Sequence, residues 1–163
     1  MEIVKDNFCD MAVCALPAAL EAVGERWSLL ILRGAFNGLH HFEEFQSTLG
    51  IARNILANRL ATLVKHGILS REPMAHDRRK VEYRLTEKGE ALLPSVVALR
   101  QWGEKWASGS PSTPVLVDRL THHPIRSIGI YSQDGRVLEL PDLCWAHAED
   151  VRPLVRLKIA QAA

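Results

Sequence analysis

Up to about Trp106 the apolar positions recur mostly at helical spacing, and beyond it the pattern changes. Residues 16–24 (LPAALEAVG) read as a short helix, with Pro17 in the first turn, where a missing N–H costs little, and Gly24 closing it. Residues 27–36 (WSLLILRGAF) are apolar almost all round, which predicts a buried helix. Asn37-Gly38 marks a turn. Residues 42–49 (FEEFQSTL) place Phe42, Phe45 and Leu49 on one face, with Glu43, Glu44 and Gln46 outside and Gly50 as the stop. Residues 52–66 (ARNILANRLATLVKH) form a second amphipathic helix ended by Gly67, with Leu56, Leu60, Leu63 and Val64 as its core stripe.

Only a few residues around Gly50 separate these last two helices, the spacing of a helix-turn-helix. Residues 68–72 and 81–85 read as two short strands flanking the polar stretch 74–80, a hairpin in the position of a wing. Thr86 caps a further helix whose apolar positions are Ala91, Leu92, Val96, Leu99 and Trp102, running to about Trp106. Residues 108–114 (SGSPSTP) have linker composition. After them, residues 115–117 and 127–131 are β-like, and Asp134-Gly135 predicts a tight turn with 136–140 as the returning strand. Residues 145–163 have no single reading: Pro153 interrupts them, and 154–159 fit a strand or a helix. The predicted fold is mainly α with a small β wing, a winged helix-turn-helix, plus a C-terminal β-containing extension. The expected division is a DNA-binding and dimerisation domain over 1–107, a linker over 108–114, and a small α+β extension of unassigned role over 115–163.

Composition adds little until charge is mapped along the chain. The net charge is only +1, yet between Arg53 and Arg84 eight basic residues face three acidic ones (Glu72, Asp77, Glu82). A basic segment within a near-neutral protein is the footprint of a phosphate-binding face, or of an ordinary solvated surface. The N-terminal MEIVKDNFCD lacks a basic start followed by an apolar run, no stretch approaches membrane-spanning length, and the three cysteines form no Cys-x-x-Cys pair. The expectation is a cytoplasmic chain whose thiols are free or redox-active.

Opposite its leucine stripe the 52–66 helix carries Asn54, Ile55, Asn58, Thr62 and Lys65, with Arg53 in the first turn. The first turns of a recognition helix meet base edges in the major groove. Asn pairs with adenine, Arg with guanine, and an apolar side chain suits a thymine methyl. Arg53, Asn54, Ile55 and Asn58 are therefore the expected base readers. Arg59, Thr62 and Lys65, with the hairpin cations Arg78, Arg79 and Lys80, are the expected backbone contacts.

In order along the chain, Cys14, Gly24-Glu25-Arg26-Trp27, Leu30-Ile31-Leu32-Arg33, Phe42-x-x-Phe45, Asn58-Arg59-Leu60-x-x-Leu63, Gly67-Ile68-Leu69, Tyr83-Arg84-Leu85-Thr86-x-x-x-Gly89 and Trp102-Gly103 resemble the HxlR family of bacterial winged-helix regulators, within the MarR-like superfamily. The resemblance covers about the first two-thirds of the chain. It implies a homodimeric regulator of double-stranded DNA that represses or activates a nearby operon. It also implies a dimer built from the segment before Trp27 and the helix after the wing, here Leu92, Val96, Leu99, Trp102 and Trp106; the tryptophans suit either an interface or the monomer's own packing. Some members sense electrophiles or oxidants at the position of Cys14, which is here either a reactive thiol or a small buried hydrophobe. Cys9 is near enough in sequence to be a resolving partner.

The tail departs from relatives whose tails carry paired cysteines. Cys144 stands alone, and His122, His123 and His147 lack zinc-ligand spacing, so neither metal nor cofactor is expected. A repressor of a nearby operon, binding a pseudo-palindromic operator as a homodimer and responding to a small molecule or electrophile, is one reading. The other is a winged-helix ligand-binding or protein-interaction module that has lost operator binding. His40-His41 beside Glu43-Glu44 invites an acid–base reading, but no nucleophile, phosphate loop or metal motif accompanies them, and a charged helix start accounts for them; no enzyme is expected.

Overall fold

The computed structural model describes residues 14–74, 80–146 and 151–152. Helix α1 (Ala15–Val23) ends at Gly24, whose N–H donates to Leu20 O at 2.7 Å. A Cβ on Gly24 would stand 2.5 Å from that oxygen, so this tight stop requires glycine. Helix α2 (Arg26–Phe36) buries Ser28, Ile31, Leu32, Gly34 and Ala35. It is not enclosed on every side as its sequence suggests: Arg26 and Arg33 are exposed, and Leu29 and Leu30 half-buried. Helix α3 (Phe42–Leu49) inserts Phe45 into the core and stops at Gly50, which takes a left-handed φ of 59°. Helix α4 (Arg53–Lys65) buries Leu56, Leu60 and Leu63. With Ile31, Leu32, Phe45, Ile51, Ile68 and Leu69 these leucines make one continuous core, with Val64 half-buried at its edge.

Strands β1 (Leu69–Pro73) and β2 (Val81–Leu85) pair antiparallel, from Leu69 opposite Leu85 to Pro73 opposite Val81. A third backbone joins them. His41 bridges Glu82, and the Tyr83 N–H donates to His40 O at 2.8 Å, so the approach to α3 lies beside the hairpin. Thr86 caps as its sequence predicts: Oγ1 accepts from Gly89 N at 3.1 Å and donates to Gly67 O at 2.6 Å.

The helix read as continuous from Thr86 to about Trp106 is broken. Helix α5 (Glu87–Glu90) is followed by a turn at Ala91-Leu92, then by α6 (Leu93–Gly103) and a wider π-type turn over Glu104–Ser108. Pro94 in the first turn of α6 has no N–H to give to the carbonyl four residues earlier, Glu90, so the ladder cannot run through. Beyond Gly109 the stretch with linker composition is bound to α6. Arg100 Nη2 donates to Ser112 O at 3.2 Å and to the Pro114 carbonyl, and Glu104 accepts from Ser112 N at 3.2 Å. Gln101 does the same further on, donating to Arg126 O at 3.2 Å and accepting from Ile128 N at 2.7 Å.

Residues 15–128 form one compact unit, and the next hairpin belongs to a second. Strands β3 (Ile130–Tyr131) and β4 (Val137–Leu138) pair antiparallel around Asp134-Gly135, where Gly135 has φ 85°. The turn is where the sequence puts it, but the pairing is shorter. Of the four strand residues only Leu138 is even half-buried, so little apolar burial is available to extend the ladder. Among the described residues no helix is long and apolar enough to cross a membrane.

Candidate nucleic-acid interface

The core fixes how α4 is turned. Leu56, Leu60 and Leu63 are at most 1% exposed. At 100° per residue that orientation leaves Arg53, Asn54, Ile55, Asn58 and Lys65 outside, and all five are exposed. Four expected base readers thus lie in the first two turns of one helix. The start of that helix is bare: Ala52 makes no side-chain cap and the first turn holds no acidic residue. Unpaired N–H groups and the positive end of the helix dipole face solvent there, an arrangement that favours anions.

The expected backbone contacts are less uniform. Lys65 is exposed, whereas Thr62 is half-buried and its hydroxyl donates back to Asn58 O at 3.0 Å. Arg59 is half-buried too; its Nη2 lies 3.8 Å from Glu25 Oε1, which ties α4 to the start of α2. The Arg53 guanidinium stands 4.9 Å over the Phe42 ring, a cation–π contact that steadies it beside α3. On the hairpin Lys80 is exposed, and Arg84 is neutralised by Glu82, with Nε to Oε2 at 2.8 Å. Arg78 and Arg79 lie outside the described residues.

The His40-His41-Glu43-Glu44 cluster has a structural use. The Glu44 carboxylate accepts the backbone N–H groups of both His40 and His41 at 2.9 Å. Those two donors hold its carboxyl below the ordinary glutamate range. His41 Nδ1 lies 3.3 Å from Val81 O on β2. The cluster thus caps α3 and fastens the hairpin to it. This role was missed in the sequence, where the Glu44 spacing to His41 is the one available signal.

Cys14 sits one residue before α1, half-buried, with a free thiol; Cys144 is free and exposed, and Cys9 lies outside the described residues. The five expected interface residues divide. Leu92 and Val96 pack against the core, while Leu99, Trp102 and Trp106 are 54%, 60% and 66% exposed. Leu16 and Leu20 of α1 are also more than half exposed.

Comparison with known proteins agrees with this geometry. A family model described as an HxlR-like helix-turn-helix matches residues 22–111. The uncharacterized HTH-type transcriptional regulator Rv3095 of Mycobacterium tuberculosis is 45% identical over 105 residues, 64% of this chain and 65% of that protein. The chain therefore matches somewhat under two thirds of the length of that relative. The crystal structure of PA1607, described as a candidate transcription factor, is 42% identical with a TM-score of 0.77, covering 83% of this chain and 96% of that one. The redox regulator HypR in its oxidized form is 33% identical with a TM-score of 0.52, over 56% of this chain and 96% of its own.

Proposed function

The chain belongs to the HxlR-like helix-turn-helix family of transcriptional regulators, with a MarR-like winged-helix fold, and from that premise we propose that it binds a pseudo-palindromic operator as a homodimer and represses a nearby operon. The observation that carries the reading is the orientation of α4, whose three leucines are sealed in the core while Arg53, Asn54, Ile55 and Asn58 project together from an uncapped N-terminus. In this reading those four residues meet base edges. Lys65 and the hairpin cations Arg78, Arg79 and Lys80 hold phosphates. Arg59 and Thr62, already engaged within the protein, act mainly by setting the pose of α4. The work falls to the winged-helix part, residues 1–107 in the sequence-based division.

The test is a gel shift on the DNA upstream of the chain's own gene, across a salt series. Each phosphate contact lowers log affinity by about 0.9 per unit of log salt, so binding falls steeply as salt rises. A protection assay should give a two-fold symmetric footprint with half-sites about 34 Å apart, one helical turn. Binding to random DNA as tight as to the upstream DNA removes the operator reading and leaves a winged-helix interaction module.

An electrophile response through Cys14 is the finer proposal. Its support is a free, half-buried thiol immediately before α1, together with the likeness to HypR, itself a redox regulator. The thiol would add across an activated double bond, forming S–C and passing its proton to the adduct. Cys14→Ser should keep operator affinity and lose release by a quinone; release that persists in the variant removes the proposal.

A further inference from the structure

We propose that the trough between α2 and α6 is a binding site for a small apolar molecule carrying one carboxylate. The cavity measures about 590 Å³, within the ~300–1,000 Å³ usual for small-molecule sites. Leu30 and Phe36 of α2, Leu93 and Val97 of α6, and Leu116 from the segment beyond Gly109 give it apolar walls. Its charged lining residues are Arg33, Arg100 and Glu104. Arg100 and Glu104 pair with one another at 2.9 Å and cancel. Arg33 is exposed, and its guanidinium has no hydrogen-bond or ion-pair partner among the described residues. One unmatched guanidinium beside apolar walls is complementary to an amphiphilic organic anion, and its planar fork suits a carboxylate.

The wall beyond Gly109 is held in place. The Arg100–Glu104 pair is the same one that grips Ser112 and Pro114. Ser112 and Leu116 lie past residue 111, where the match to the family model ends. The trough also differs from the aromatic face proposed for dimerisation. Trp102 and Trp106 lie roughly 120–180° around α6 from Val97 and Arg100, and of the exposed interface residues Leu99 alone borders both. An occupant would touch α2, which packs against α4. Any effect on DNA rests on the operator reading; the site itself does not.

The experiment is isothermal titration calorimetry of the full chain, without DNA, using decanoate, with decan-1-ol as the uncharged control. The expected result is saturable binding of one decanoate per chain, at least tenfold tighter than decanol. Arg33→Gln should abolish that preference while leaving decanol binding unchanged. Leu116→Trp, filling the trough from a partly exposed position, should weaken decanoate at least tenfold with no change in the thermal melt. Equal binding of decanoate and decanol overturns the proposal, as does binding indifferent to both substitutions. So does conversion of a dimer to a monomer by Leu116→Trp, which would make a second copy of the chain the occupant. If Leu116→Trp fails to fold, Arg33→Gln alone decides, because the exposed Arg33 side chain makes no hydrogen bond or ion pair among the described residues. With no DNA present, failure here leaves the operator reading standing, and failure of the operator reading leaves this result readable.

Discussion

Asn58 and Lys65 stand on the same exposed side of α4 but should act through different physics. A bidentate contact to a base edge discriminates by about 1–3 kcal/mol. Asn58→Ala should therefore weaken the operator complex by roughly 5- to 150-fold while leaving affinity for random DNA nearly unchanged. Lys65→Ala removes a point charge and should weaken both complexes alike, lowering the slope of log affinity against log salt by about one. Gel shifts on operator and scrambled duplexes at several salt concentrations separate the two. Neither side chain supports the core, so the thermal melts should match the parent. Glu44 offers a residue-scale test that needs no DNA. Its carboxyl is held below the ordinary value of 4.5 chiefly by the His40 N–H, then by that of His41. A carboxylate with a lowered folded pKa stabilises the protein above its unfolded pKa, and the contribution is lost as pH falls through the folded value. The parent should thus melt above Glu44→Ala at pH 7, and the gap should close as pH drops below about 4.5. A gap constant from pH 7 to pH 3 would contradict this origin.

How the elements meet is tested at two glycines. A Cβ on Gly89 would stand 2.2 Å from Ile68 O and 3.1 Å from Leu85 Cδ2, where α5 crosses the base of the hairpin. Gly89→Ala should cost about 1–3 kcal/mol, as forced overpacking does. Gly103 has helical dihedrals and open space around its Cα, so Gly103→Ala should instead stabilise by about 0.5–1 kcal/mol. Urea denaturation of both variants should give shifts of opposite sign. The contrast shows where the sequence was readable. Helices α1 to α4 and strands β1 and β2 lie within a residue or two of their sequence-based bounds, because each carries a periodic apolar stripe and most end at a glycine or turn. The bridge from His41 to Glu82 was invisible, since a one-residue pairing has no period to detect. The break before α6 was missed because Ala91, Leu92 and Val96 continue a helical stripe across the place where Pro94 interrupts the hydrogen-bond ladder. On the candidate reader, pattern alone located the exposed face. It could not reveal that Arg59 reaches back to Glu25, a contact between helices separated by more than thirty positions.

At the scale of the whole molecule, the open question is what covers the aromatic side of α6. Leu99, Trp102 and Trp106 follow one another at helical spacing, and each leaves more than half its surface in water. Such a stripe is unusual on a soluble monomer and is the composition expected of an interface core. The sequence carried the tryptophans but not their division from Leu92 and Val96, which face inward and cannot serve two surfaces at once. Trp102→Glu places a charge in the middle of the stripe without touching the core, so the variant should keep its circular dichroism and melt cooperatively yet sediment as a monomer. The consequence for DNA follows from linkage rather than from any lost base contact. A dimer holds its second reader at high local concentration over the second half-site, an advantage of about 10²–10⁴-fold that a monomer forfeits. Operator affinity should fall by that order while the footprint on a single half-site stays where it was. If Trp102→Glu instead remains dimeric by analytical ultracentrifugation and binds operator normally, the pairing surface lies elsewhere, and the exposed Leu16 and Leu20 of α1 become the next positions to charge.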